Sequence, residues 1–278
     1  MAKRKRTNIN RGNEENYNLI PRGKGYKPFI LIQDVPSLGR SSRLRGIKTG
    51  RQHEFLSDLE RNYFMILEFS DCVVDIREQF PLELKETLLI AEELGIKHPT
   101  HSITKEPITM TSDFCITLKK VNTTEEVIRT TKYKQDLLDR RVIEKFQIEK
   151  TYWQRKGIDW GMVTEAEVDK NYSQNVADIL DYYDLSDHEG LATIDKDEKG
   201  DMVIEFLQRL MDANKTVRQI ASVFERDVHL PKGTGIALFK HLVARKYIKI
   251  DLLQPLNIEQ HIHVELLRQS RMLGEVVS

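Results

Sequence analysis

Apolar residues follow two rhythms along this chain. Phe55, Leu59, Tyr63, Ile66 and Leu67 recur three and four apart, which predicts a helix over 57–69 with one buried stripe. Ser57, with Glu60 three residues on, is a capping-box pair at its start. Residues 72–80 are rich in β-branched positions and predict a strand, closed by Pro81 and Leu82. A short amphipathic helix over 84–94 ends at Gly95, with Pro99 beyond it. Two more strands are predicted at 111–118, with Asp113 near its start, and at 127–132, ending on Lys132. The polar run 119–126 between them suits a hairpin turn. Leu137, Leu138, Val142, Ile143, Phe146, Tyr152 and Trp153 form the apolar face of a long helix over 136–156, stopped by Gly157. Residues 158–164 return as a strand. This order of elements predicts an α/β core with a mixed sheet.

Outside that core the patterns are different. Residues 27–36 read as a short strand or an extended arm. Residues 37–51 are rich in Gly, Ser and Arg and suit a loop or hairpin that follows a nucleic-acid backbone through Arg40, Arg43, Arg45, Lys48 and Arg51. After Thr164 the composition turns acidic. Helices are expected over 201–214, from Thr216, and over 233–244, with a strand at 247–252. Three helices followed by a hairpin is the winged-helix order, which serves DNA binding or protein docking. The acidic bias of this half favours docking. The expected division is a basic arm and loop at 1–50, a catalytic domain at 51–167 and a winged-helix domain at 168–278.

Composition narrows the picture. The chain has 278 residues with 40% hydrophobic and 31% charged, enough apolar residues to bury a core and enough charge for water. No apolar run approaches the roughly 18 residues of a membrane helix, so a cytoplasmic protein with no membrane partner is expected. Cys72 and Cys115 sit in apolar runs and read as buried, reduced thiols. The net charge of zero hides an asymmetry: residues 1–51 hold 13 Lys and Arg against 3 Asp and Glu. With Lys3, Arg4, Lys5 and Arg6 at the front, that surplus points to a polyanion, most simply DNA.

The strand pair carries the candidate chemistry. Adjacent strands bring Asp113 and Lys132 together, and an acid beside a lysine at a sheet edge can hold a divalent metal and a phosphate side by side. That arrangement is similar to that of restriction-endonuclease-like nucleases, whose signature runs Asp, a gap, then acid-x-Lys. Mg²⁺, for which Mn²⁺ can substitute, takes hard oxygen ligands. Asp113, Glu60 from the helix and the main-chain carbonyl of Thr131 are the expected ligands. Lys132 is the expected cation for the attacking water or the scissile phosphate. The acid-x-Lys half is incomplete, because Thr130 stands where an acid is usual. That departure leaves open a second reading, a non-catalytic DNA-binding adaptor with a degenerate nuclease domain. His98 and His101 read as surface or supporting polar residues.

Several stretches, taken in order, resemble the TnsA family. They are Leu56-Ser57-Asp58-Leu59-Glu60, Asp75-Ile76-Arg77-Glu78-Gln79-Phe80-Pro81-Leu82, Gly95-Ile96-Lys97-His98-Pro99, Thr111-Ser112-Asp113-Phe114 and Tyr152-Trp153. The resemblance covers roughly residues 30–165; the last third agrees in layout more than in residues. It implies the endonuclease subunit of a heteromeric bacterial transposase, with catalytic Glu60, Asp113 and Lys132. Such a subunit cuts the 5′ ends of a transposon, while a TnsB-type transposase cuts and joins the 3′ ends. A TnsC-type ATPase is engaged through the C-terminal domain. A glutamine of the family is replaced here by Thr130, which with Glu149 is kept as a possible outer contributor to the site. For Glu149 a solvated helix charge is the simpler expectation.

Overall fold

A computed structural model of the protein describes residues 20–34, 40–186, 188–211 and 214–267. The chain divides into two compact units between Val168 and Asp169.

The first unit opens with a hairpin, β1 (Ser42–Arg45) paired antiparallel with β2 (Gln52–Phe55). Residues 27–34 form bends and a turn, not a strand. Side chains near and far capture the segment's donors: Asp34 accepts the Leu31 N–H at 2.9 Å, and Glu54 of β2 accepts the Ile32 N–H at 2.8 Å. Side-chain acceptors thus take the donors a strand would have offered a neighbour. Helix α1 (Asp58–Phe69) starts at Ser57, whose hydroxyl accepts from the Glu60 N–H as its sequence predicts.

The central sheet has the order β3 (Val73–Pro81), β4 (Thr111–Lys119), β5 (Thr124–Thr131), β6 (Asp159–Val163). The first two pairings are antiparallel and the last is parallel, so the sheet is mixed, as expected. Helix α2 (Leu84–Glu93) and helix α3 (Arg140–Arg155) cover one face. There Phe80, Cys115 and Ile128 pack on Ile90, Ile148, Tyr152 and Trp153. On the other face Phe114 of the sheet meets Phe55 of the hairpin and Tyr63 of α1, and Phe55 in turn packs at a tilt against Phe64.

Three expectations need correction. The long helix starts later than 136, at Arg140 with Asp139 as its cap, and Leu138 is 90% exposed. Its buried face is Ile148, Glu149, Tyr152 and Trp153, and it includes an acid. Cys115 is buried, but Cys72 is exposed.

The second unit holds α4 (Lys170–Leu180), α5 (Lys196–Leu210), α6 (Val217–Asp227) and α7 (Thr234–Ala244). The two-residue strands β7 (Ile248–Lys249) and β8 (Glu265–Leu266) follow and pair antiparallel. Thr216 and Gln219 close a capping box on α6. At Gly235 a Cβ would stand 2.8 Å from the Ala221 backbone, so only glycine lets α6 and α7 approach this closely. The strand predicted at 247–252 is limited to 248–249, and further on the Leu252 and Gln254 carbonyls accept from Asn175 of α4, at 2.8 and 2.7 Å. Among the described residues, no helix is long and apolar enough to cross a membrane.

Candidate active site

The sheet's side-chain alternation turns over near the end of β3. Residues two apart on a strand share a face, yet Glu78 and Phe80 do not. Glu78 meets His53 and Arg51 on the hairpin side, while Phe80 packs on Trp153 of α3. Between them Gln79 has a φ of 48°, in the left-handed region that costs a non-glycine residue about 1–3 kcal/mol. The neighbouring strand does the same. Ser112, paired with Phe80, bonds Glu149 and Trp153 of α3, while Phe114, paired with Glu78, faces α1. Asp113 and Gln79 lie at this crossover.

Four polar side chains from separate elements meet there. Asp113 Oδ2 accepts from the Thr131 N–H at 2.8 Å and from the Thr131 hydroxyl at 3.0 Å, which ties the edge of β4 to the end of β5. The Gln79 amide nitrogen lies 3.4 Å from Asp113 Oδ1 and 3.4 Å from Glu60 Oε2. The Gln79 amide oxygen accepts from the Thr111 hydroxyl at 3.0 Å. Glu60 also accepts from the Leu56 N–H at 3.0 Å and the Ser57 hydroxyl at 2.9 Å. Glu60 therefore serves both the helix start and the cluster; the two roles weighed for it from sequence are not alternatives.

The electrostatics are those of a site short of positive charge. Burial, and then the Asp113 charge, push Glu60 up to about 8, against the pull of its hydrogen bonds. Asp113 is also raised, by burial above all, although the Thr131 and Gln79 bonds and the Lys132 charge oppose it. Lys132 thus acts on Asp113 through space, while its ammonium pairs with Asp136 at 3.3 Å. The Lys132 side chain keeps 35% of its surface open, so that pair is a weak, screened one.

Glu149 is not a solvated helix charge. It is 3% exposed and accepts from the Ser112 hydroxyl at 2.6 Å and the Thr130 hydroxyl at 2.5 Å. Burial raises it to about 7. Thr130 is therefore turned toward Glu149. Glu149 holds the residues immediately before Asp113 and Thr131 from the α3 face.

The basic positions fall into three groups. Lys3, Arg4, Lys5 and Arg6 lie outside the described residues. Arg40, Arg43 and Arg45 are exposed, with Arg43 held by Glu54 at 2.9 Å, and Lys48 donates to the Ser70 carbonyl at 2.8 Å. Arg51 differs: its side chain is 8% exposed and forks onto Glu78, so its charge is spent inside the fold and not on a surface. His98 is buried, bonded to Thr87 and to the Pro99 carbonyl, which makes it structural.

Sequence reasoning missed Gln79. Its signal was the run Asp75-Ile76-Arg77-Glu78-Gln79, in which polar residues occupy both parities of a strand buried on both faces. The donors around Glu60 and Asp113 are all oxygens or amides, and the two carboxylates are crowded and underneutralised. A hard divalent cation fits that set. Among the described residues no group of three or more His, Cys, Asp and Glu forms a cage.

A mixed sheet between helices, with acids gathered at one crossover, fits a nuclease-like core. The sequence pattern of the TnsA-like endonuclease N-terminal domain matches residues 70–165, and that of the TnsA endonuclease C-terminal domain matches 167–252. The chain belongs to the TnsA endonuclease family. It is 42% identical over 154 residues to the transposon Tn7 transposition protein TnsA of Escherichia coli. That alignment takes in 55% of this chain and 55% of the relative, so the chain matches about half of that protein's length.

Proposed function

We propose that the protein is a metal-dependent DNA endonuclease subunit of a transposase, hydrolysing phosphodiester bonds at the 5′ ends of the transposon. The convergence of Glu60 and Asp113, 53 positions apart in sequence, on one polar cluster supports this reading most. In it, Glu60, Asp113 and the Thr131 carbonyl hold Mg²⁺, or Mn²⁺ in its place. A bound divalent cation supplies positive charge to phosphate oxygens and makes water more acidic. The protein's own residues do the rest. Asp113, fixed through Oδ2 by the Thr131 N–H and hydroxyl, leaves Oδ1 in the long Gln79 contact that it shares with Glu60. Lys132 exchanges its exposed partner Asp136 for a substrate phosphate or for the attacking water. Arg40, Arg43, Arg45 and Lys48 follow the DNA backbone, together with Lys3, Arg4, Lys5 and Arg6. Strand exchange at the 3′ ends belongs to a TnsB-type transposase in the bacterial cytoplasm. The second unit, read as winged-helix, docks a TnsC-type ATPase.

The competing adaptor reading draws on Thr130, whose hydroxyl is engaged by Glu149 and offers no acid beside Lys132. One experiment separates the two. End-labelled transposon DNA is incubated with TnsB-type and TnsC-type partners and with wild-type protein or Asp113→Ala. Loss of 5′ nicking with an intact assembly is the expected outcome, and undiminished 5′ nicking by the variant refutes the assignment.

A further inference from the structure

Mg²⁺ takes six oxygen ligands in an octahedron, so Glu60, Asp113 and the Thr131 carbonyl leave positions for water, substrate phosphate or a further protein oxygen. The Thr130 side chain is turned away to Glu149. One further polar side chain is aimed into the space between Glu60 and Asp113, and it is an amide that is only 3% exposed. We propose that Gln79 is a ligand of the divalent cation held by Glu60 and Asp113, its amide turning over on binding to present the oxygen in place of the nitrogen. The inference rests on the metal-dependent reading above and deepens it.

Three observations carry it. First, the two contacts of the Gln79 nitrogen are 3.4 Å each, long for hydrogen bonds to carboxylates, which run about 2.7–2.9 Å. The amide fills the gap between two anions without being gripped by either. A cation entering that gap displaces a donor and favours an acceptor.

Second, the outer end of the amide is bound to a partner that works in both senses. The Thr111 hydroxyl now donates to Gln79 Oε1 at 3.0 Å, and a hydroxyl accepts equally well. A half-turn about the last side-chain bond exchanges oxygen and nitrogen in nearly the same volume. It keeps the Thr111 bond with its direction reversed. The inner end changes from donor to acceptor at no cost on the outer side.

Third, the side chain reaches this gap only because of its backbone. With ordinary strand geometry Gln79 would point away from the face shared by Glu78. The φ of 48° at Gln79 is the feature that turns the strand over at this residue. Left-handed backbone at a bulky residue is kept where the surroundings, and often the function, require it.

Mn²⁺ binding to the full-length chain tests this without any nuclease assay. Titration by calorimetry and by the electron-spin signal of free Mn²⁺ compares wild type, Gln79→Ala, Gln79→Gly and Asp113→Asn. Glycine removes the amide and relieves the backbone at once, so it covers a folding failure of the alanine variant. Wild type binds, Asp113→Asn does not, and both Gln79 variants bind about tenfold more weakly. In protein carrying ¹³C-labelled glutamine, the infrared carbonyl band assigned to Gln79 shifts on Mg²⁺ addition and is absent from Gln79→Gly. Unchanged or tighter Mn²⁺ binding in the Gln79 variants overturns the inference, because removing a mere spacer relieves competition with the cation. A Gln79 carbonyl band that stays still overturns it too. Absence of Mn²⁺ binding in wild type overturns the metal-dependent reading itself, and with it this inference.

Discussion

Strand β3 carries two buried carboxylate clusters side by side, and they are opposites. At Glu78, burial alone would raise the acid, but Arg51 and His53 outweigh it and lower the acid to about 2. Arg51 Nη1 donates to Glu78 at 2.7 Å, His53 Nδ1 at 2.8 Å, and His53 Nε2 bonds the Thr49 hydroxyl at 2.7 Å. One residue further on, Gln79 joins Glu60 and Asp113, both raised, with only the more distant Lys132 charge opposing the rise at Asp113. The first cluster is closed: its charges cancel and it pins the β1–β2 hairpin to the sheet. The second is open: its charges repel, and what would satisfy them has to come from outside. Of these two clusters, the neutralised acid holds the hairpin to the sheet, and the unneutralised pair is the candidate ligand site.

Stability measurements can break that comparison most sharply. Glu78→Ala strands Arg51 without its partner and is expected to cost about 3–5 kcal/mol, read as a lowered unfolding midpoint. Asp113→Asn removes repulsion and is expected to raise the midpoint of the metal-free protein at pH 8. If both substitutions destabilise alike, the two clusters are not opposites.

The pH dependence is the next largest effect. Folded Glu60 keeps a proton that the unfolded chain releases between 4.5 and about 8. Across that window the metal-free fold therefore loses stability as pH rises, by at most about 1.4 kcal/mol per pH unit. Glu78 works the other way: its contribution is present above pH 4.5 and is lost as pH falls toward about 2. Thermal unfolding between pH 5 and 8.5, in chelator and then in Mn²⁺, is expected to show a falling midpoint that Mn²⁺ restores most at the alkaline end. A midpoint independent of both pH and Mn²⁺ contradicts an open cluster.

Glu149→Ala is expected to be milder. It leaves the Ser112 and Thr130 hydroxyls without their acceptor, at about 1–3 kcal/mol by denaturant unfolding. Glu149→Gln, which retains an acceptor oxygen, is expected to lose less.

The smallest effects on stability concern the arginines. Arg40→Ala and Arg45→Ala are expected to stay within about 0.5 kcal/mol of wild type. Each is expected to flatten the log–log salt dependence of DNA binding by about 0.9. Arg51→Ala is expected to destabilise the fold instead. A flattened salt slope with full stability for Arg51→Ala would move that residue to the DNA surface.

Much of the core was legible along the chain because it depends on local rules. The 3.6-residue stripe of α1, the Ser57 cap, the β-branched runs of β3, β4 and β5 and the stop at Gly157 are all set by near neighbours in sequence. Glu60, Asp113 and Lys132 were candidates by family resemblance, and the structure brings Glu60 and Asp113 to one cluster. Other features were not legible, because they depend on contacts between distant segments. Leu138, expected on a buried stripe, is exposed, since α3 begins only at Arg140 and presents Ile148, Glu149 and Trp153 to the sheet. Glu149 looked like a solvent charge until Ser112 and Thr130, 37 and 19 positions away, were seen to bond it.

By itself, then, the sequence determined most of the helices and strands of the core and its mixed α/β class, and it singled out the acid pair as candidates. Tertiary structure alone decided which charges are spent and which are left waiting. Arg51 and Arg45 are the same residue type in the same basic run, and only the approach of Glu78 from another strand separates them. Gln79 reaches Asp113 because the backbone turns over at one residue and breaks the alternation that makes a strand readable. A side chain's charge is written in its chemistry, but its neutralisation belongs to whatever the fold brings within a few ångströms.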